Sequence, residues 1–222
     1  MKQKLFGVTY EKLLTCLGQT GYMLGWALFF GSAIGILVAV MLFLCRKGGL
    51  MENRVVYWVV NNLVNIVRSV PFAILLVTIM PLTRKIIGTT IGSKAALVPL
   101  IFYISPYMGR LIENSLLEVS PGILEAAQAM GATTLQIVRY FLIPETLGSI
   151  ALALTTGTIG LLGASAMAGY VGGGGLGDLA LTYGYEKFNT SLMIFTVLLL
   201  IAFVQLIQMV GNRLSHRLRE HR

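Results

Sequence analysis

From Leu17 to Cys45 the chain carries no charged residue. A bilayer core is crossed by about 20 apolar residues, and a helix satisfies its own backbone polar groups in lipid. Four further apolar stretches follow, at about 55–81, 91–112, 146–171 and 188–211. Charged residues make up only 12 % of the 222 and hydrophobic ones 56 %, with a mean hydropathy of +0.79. Soluble domains hold about 25 % charged residues. Half that value excludes a disordered chain and argues against a soluble enzyme. The expected fold class is an all-α polytopic membrane protein with five transmembrane helices, formed by residues 1–222 as a single membrane domain.

The spans differ in kind. In the first, Gly18, Gly21, Gly25, Gly31 and Gly35 recur at near-helical spacing, which lets another helix approach closely. Asn61, Asn62, Asn65 and Arg68 interrupt the second, and Pro71 should bend it. The third is short and holds Pro99 and Pro106. The fourth is rich in Gly, Ala, Ser and Thr, a composition for tight helix packing. The fifth is rich in Leu, Ile and Val and reads as lipid-facing.

The net charge of +8 comes mostly from basic residues that flank apolar runs, such as Arg46-Lys47, Arg84-Lys85 and the tail from Arg213 to Arg222. Membrane orientation explains this pattern better than nucleic acid, since no aromatic-interleaved basic patch lies outside the spans. With five spans and the C-terminus inside, nine Lys and Arg fall on the inner segments and seven on the outer, among them Lys2 and Lys4. The positive-inside rule then favours an outer N-terminus and a cytoplasmic C-terminus. The first apolar run is too long for a signal peptide and is read as a retained helix. Cys16 and Cys45 lie in one long stretch that reads as a single helix, about 43 Å apart at about 1.5 Å per residue, too far for a disulfide. His216 and His221 lie in the basic tail, and no metal-ligand spacing occurs.

Residues 113–145 are the only sizeable polar stretch, with Glu113, Glu118, Glu125 and Glu145. Ser120 is placed to cap a helix whose first residue is Pro121, and Gly131 to close it. Thr133 with Gln136 predicts a capping box for a second short helix, which Pro144 should end. Ile123, Met130, Leu135, Val138 and Phe141 exceed what a solvated loop carries, so the segment needs lipid or a protein partner. Helices that lie on lipid carry Lys and Arg on their polar face, whereas this one carries Glu, which favours protein.

The segment runs Glu125-Ala126-Ala127, three residues, Gly131, nine residues, then Phe141-Leu142-Ile143-Pro144. This resembles the EAA motif of ABC importer permeases, with conservative changes at Phe141 and Ile143. Wider stretches, including Asn65–Phe72, Gly88–Gly92, Glu113–Val119, Ser165–Gly169 and Gly172–Gly177, are similar to the methionine importer permeases over about residues 15–215. The resemblance implies a type I importer permease fold in the bacterial inner membrane, working as a homodimer with two ATPase subunits and a substrate-binding lipoprotein. It implies no cofactor on this chain, with ATP and magnesium on the ATPase, and methionine as cargo, with cystine or another small sulfur compound as the alternative. It also implies that Glu125, Ala126, Ala127, Met130, Gly131, Phe141 and Pro144 meet the ATPase.

By the same resemblance Met167 lines the path near the outer gate, where a Met pair would form a flexible apolar plug. The alternative for Met167 is ordinary packing. Ser165 adjoins it. Arg68, an intramembrane cation, either lines a polar cavity or latch or snorkels and orders the Asn61/Asn65 face. Gly172, Gly174, Gly175 and Asp178 read as a flexible loop that meets the binding protein. The run formally matches a dinucleotide fingerprint but follows a membrane helix, not a strand. No P-loop occurs, so ATP binds elsewhere, and no Ser–His or Asp pair lies within a span to catalyse hydrolysis. A secondary transporter would need a charged pair near the midplane, for which only Arg68 qualifies. A structural anchor would show no dependence of flux on Met167 or Arg68.

Overall fold

A computed structural model describes residues 4–220, with the side chains of Lys4, Leu5 and Glu220 left aside. Lys2, His221 and Arg222 of the basic termini lie outside the described residues. The chain opens with a small hairpin, β1 (Lys4–Leu5) and β2 (Val8–Thr9), paired antiparallel. Its two-residue turn places Phe6 at φ 49° and Gly7 at φ 85°, the double positive φ that a tight hairpin needs.

Helices make up nearly all of the rest. They are α1 (Tyr10–Cys45), α2 (Arg54–Ser69), α3 (Phe72–Ile87), α4 (Ser93–Leu117), α5 (Pro121–Ala129), α6 (Thr134–Gln136), α7 (Ile143–Ala168), α8 (Gly175–Asp178) and α9 (Thr190–Glu220). Four stretches are long and apolar enough to cross a membrane, or five if the bent pair α2–α3 counts as one span. α1 starts at Tyr10, seven residues before the apolar span expected from Leu17, so it exceeds what the bilayer requires and must tilt or project. The third apolar stretch is longer than its core, because α4 continues through Pro99 and Pro106 to Leu117.

Two expectations need correction. The stretch 55–81 is two helices, not one bent helix. α2 ends at Ser69, and the helix is broken before α3 starts at Phe72. Pro71 disfavours the α conformation at Val70, and Pro71 itself is extended with ψ 137°. The second loop helix does not end at Pro144. A wide π-turn over Ile137–Leu142 follows α6 and runs directly into α7, with the Ile143 amide donating five residues back to the Val138 carbonyl. The wide turn relieves the clash that a proline ring makes with the carbonyl one turn earlier, so Pro144 sits inside the first turn of α7.

The chain divides into two compact units. The first holds the described part of Met1–Phe30 with Val70–Ile104 and Thr158–Ile207; the second holds Gly31–Ser69, Ser105–Gly157 and the described part of Gln208–Arg222. In the first unit, Cys16, Leu176, Leu179 and Leu192 form a buried cluster joined by Leu13, Leu17 and Tyr183. Phe72 meets Tyr103 edge-on at 5.3 Å between ring centroids. Asn189 caps α9 by accepting from the Leu192 amide and donates to the Phe6 carbonyl, which ties the hairpin down.

In the second unit small residues set the helix spacing. A Cβ on Gly109 would lie 2.9 Å from Val38 Cγ1, and one on Gly35 would lie 2.7 Å from Met108 Cβ. α1 and α4 therefore meet backbone to side chain. α9 meets α7 as closely, with Gly211 against Thr155 and the Ser215 hydroxyl donating to the Gly148 carbonyl at 2.9 Å. Of the other α1 glycines, Gly18, Gly21 and Gly25 have open space around them within this chain.

Candidate functional site: the α5–α7 segment and its support

The segment after α4 begins with Ser120 and Pro121. Ser120 makes no side-chain cap, because its backbone carbonyl already accepts the Ile123 amide at 3.1 Å. At the other end the Met130 and Gly131 amides donate to the Ala126 and Gln128 carbonyls, and Gly131 adopts φ 76°. That left-handed residue closes α5 as a glycine C-cap. Thr133 and Gln136 form the full capping box, the Gln136 carboxamide oxygen accepting from the Thr133 amide at 2.8 Å. Thr133→Ala should cost about 1 kcal/mol of local helix stability. Hydrogen exchange at the Gln136 and Ile137 amides should accelerate accordingly.

The segment is anchored from below and presents its upper side. Ala127, Ile137 and Leu142 are fully buried, and Phe141 is half-buried. Glu125, Ala126, Met130, Gly131 and Pro144 are exposed. Met130, Leu135 and Tyr140 are 70, 75 and 63 % exposed, a large apolar area for a free surface. Among the motif residues, then, Ala127 supports the surface while Glu125, Ala126 and Met130 form it. Glu118, at the end of α4, accepts from the Ser149 hydroxyl at 2.7 Å. Arg219 donates to the same hydroxyl at 3.3 Å, across a polar cleft of about 340 Å³ that Glu145 also lines.

A polar bridge lies in the same unit. Arg110 Nη1 donates to Glu113 Oε2 at 2.7 Å, and Arg110 Nη2 donates to Asn61 Oδ1 at 2.7 Å and Asn65 Oδ1 at 3.0 Å. The Glu113 side chain is 4 % exposed, so its charge is held by Arg110 inside the fold. Arg68 is exposed, with its guanidinium 5.9 Å from the Tyr107 ring centre. The cation that orders Asn61 and Asn65 is therefore Arg110, not Arg68. The sequence signal was present in the three asparagines of an apolar helix, but their partner is 45 and 49 residues away and no local spacing announces it.

Met167 and Ser165 belong to the first unit and Arg68 to the second. Met167 is 49 % exposed on α7, whereas Ser165 is buried and its hydroxyl donates to the Leu162 carbonyl at 2.7 Å. The glycine-rich run is ordered packing rather than a flexible loop. Gly173, Gly175 and Gly177 are buried, Gly174 and Asp178 half-buried, and only Gly172 is exposed. The Gly175 and Leu176 amides donate to the Gln19 and Thr20 side chains at 2.8 Å, and Asp178 pairs with Lys12 at 3.1 Å. Gly172, Gly174 and Gly175 all have positive φ, which ordinary side chains resist. Among the described residues no group of three His, Cys, Asp or Glu could hold a metal ion.

Long apolar helices, an exposed apolar face beside a glycine-capped short helix and an internal polar bridge are features of a polytopic membrane protein. Residues 31–220 match the family described as binding-protein-dependent transport system inner membrane component. The chain belongs to that family. It is 47 % identical over 217 residues to the "Probable D-methionine transport system permease protein MetI" of Vibrio cholerae, covering 98 % of this chain and 96 % of that one. The D-methionine transport system permease protein MetI of Escherichia coli K12 is 49 % identical over 141 residues, 64 % of this chain and 65 % of that one. A solved structure described as inward-facing conformations of the MetNI methionine ABC transporter superposes with a TM-score of 0.92 at 44 % identity, covering 94 % of this chain and 97 % of that one. An amino acid ABC transporter with histidines shares the fold alone, at a TM-score of 0.71 and 22 % identity. The fold is that of a type I ABC importer permease, a multi-pass transport subunit of the inner membrane.

Proposed function

We propose that this chain is the membrane-spanning half of an ATP-driven methionine importer, D-methionine included. The observation that carries the reading is the end-to-end 47 % identity to a D-methionine permease, with the superposition on a methionine ABC transporter beside it. Two copies form the pathway, two ATPase subunits bind the face around Glu125, Ala126, Met130 and Gly131, and ATP and magnesium are held on those subunits. A substrate-binding lipoprotein delivers the cargo near Gly172 and its neighbours. The N-terminus lies outside and the C-terminus in the cytoplasm. Met167, half-exposed on the small-residue helix α7, is the gate of the pathway, with Ser165 packing beneath it and Arg68 facing the aqueous side.

The mechanism follows from where the chain is stiff. ATP draws the two ATPases together, and the exposed α5 face moves with them. Because the π-turn at Ile137–Leu142 joins α6 to α7 without a loop, movement passed from α5 across the short Gly131 turn to α6 enters α7 directly. α7 carries Met167, so the same movement opens or closes the gate. An apolar thioether suits that place, since it seals without polar contacts that would have to break.

The test is ATP hydrolysis and methionine uptake by the chain co-purified with its ATPase and reconstituted with the binding protein. Hydrolysis sensitive to vanadate and altered by methionine is the expected result. Hydrolysis that ignores methionine and answers to cystine would change the cargo. Absence of any co-purifying ATPase, in detergent mild enough to keep the dimer, would sink the reading.

A further inference from the structure

We infer that Arg110 is a positioning residue whose bridge to Asn61 and Asn65 makes α2 move with α4, so that displacement of the α5 face reaches α2 and not only α7. The inference rests on the proposed importer function for its direction of movement, but the bridge stands on geometry of its own.

α4 is held on two sides at one level. On one side Gly35 and Gly109 bring it against α1 so closely that a Cβ on either glycine would come within 3 Å of the other helix. On the other side, one residue on, Arg110 reaches α2 with two hydrogen bonds from a single nitrogen while its second nitrogen is fixed by the buried Glu113. The guanidinium fork is thereby used fully: the ion pair within α4 sets its orientation, and the free edge grips α2. Four residues after α4 ends, Pro121 opens α5. Between them Glu118 ties α4 to α7 through Ser149. A push on α5 therefore reaches a helix already clamped to its neighbours. α2 is otherwise weakly packed: Val64 is its only buried residue, so the two asparagines are its main polar attachment among the described residues. In a bilayer, apolar contact between helices gives no hydrophobic gain over lipid, and an interhelical hydrogen bond decides which helices travel together.

The variant that separates the bridge from the ion pair is N61L/N65L, which keeps the branched side-chain shape, suits lipid and leaves Arg110–Glu113 intact. In vesicles with the ATPase and binding protein, its ATP hydrolysis should stay within about twofold of wild type while methionine moved per ATP falls about tenfold. Asn61→Asp, which keeps an acceptor for Arg110, should restore the ratio. Spin labels at Val59 of the two copies should show a nucleotide-driven distance change in wild type that is lost in N61L/N65L. A preserved transport-to-hydrolysis ratio, a parallel fall of both rates, or an unaltered distance change would overturn the bridge. The label distance needs no cargo, so a wild-type complex that moves no methionine overturns the cargo reading and leaves the bridge to be judged by the labels.

Discussion

Met130→Asp together with Leu135→Asp should release the ATPase from the permease. Both side chains are more than two-thirds exposed in the isolated chain, on either side of the Gly131 turn, and neither contributes to its core. Burying a large apolar side chain is worth about 1.5–3 kcal/mol, and a carboxylate placed there adds a desolvation cost. A combined loss of about 4 kcal/mol is roughly a thousandfold in association. Co-purification of the ATPase should fail and uptake should fall below detection, while the permease alone keeps its helical content and thermal midpoint. Retained association would mean that the apolar face meets lipid, the alternative that its acidic residues argue against.

The second large effect belongs to Gly177. A Cβ built there runs into the Ala166 backbone, carbonyl oxygen and Cα alike. Gly169 and Gly173 are similarly pressed, against Gly174 O and Ala168 O at 2.6 Å. Backbone cannot swing aside as a side chain does, so Gly177→Ala should cost about 3 kcal/mol. In a chain of this size that lowers the thermal midpoint by about 10 °C. The control is Gly18→Ala, where nothing lies within 4 Å and alanine is the better helix former. It should leave the midpoint unchanged or raise it slightly. Equal effects at the two positions would contradict the packing described for the glycine-rich run. Gly177 packs against Ala166, the residue before Met167, so Gly177→Ala should also raise substrate leak through any molecules that fold.

Local chemistry made much of this protein readable before its structure. Uncharged runs of bilayer length fold as helices in lipid, because backbone groups there have no water to bond and a helix satisfies its own. The Gly131 C-cap and the Thr133–Gln136 box depend on neighbours within four residues, so spacing alone places them. The face they create, Glu125 through Met130, follows from helix periodicity.

What the tertiary structure decided is the set of contacts between residues distant in sequence. Pro144 was readable as a terminator until the π-turn before it removed the clash that makes proline terminate. The glycine run was readable as a loop until Gln19 and Thr20, 156 residues away, were found bonding its amides. Arg68 was the conspicuous charge in an apolar helix, yet the cation that engages Asn61 and Asn65 is Arg110, from another helix. Periodicity and capping act within one helix and can be counted along the chain. Which side chain crosses to which helix depends on how closely the backbones approach, and here that is set by Gly35 against Met108 and Gly109 against Val38.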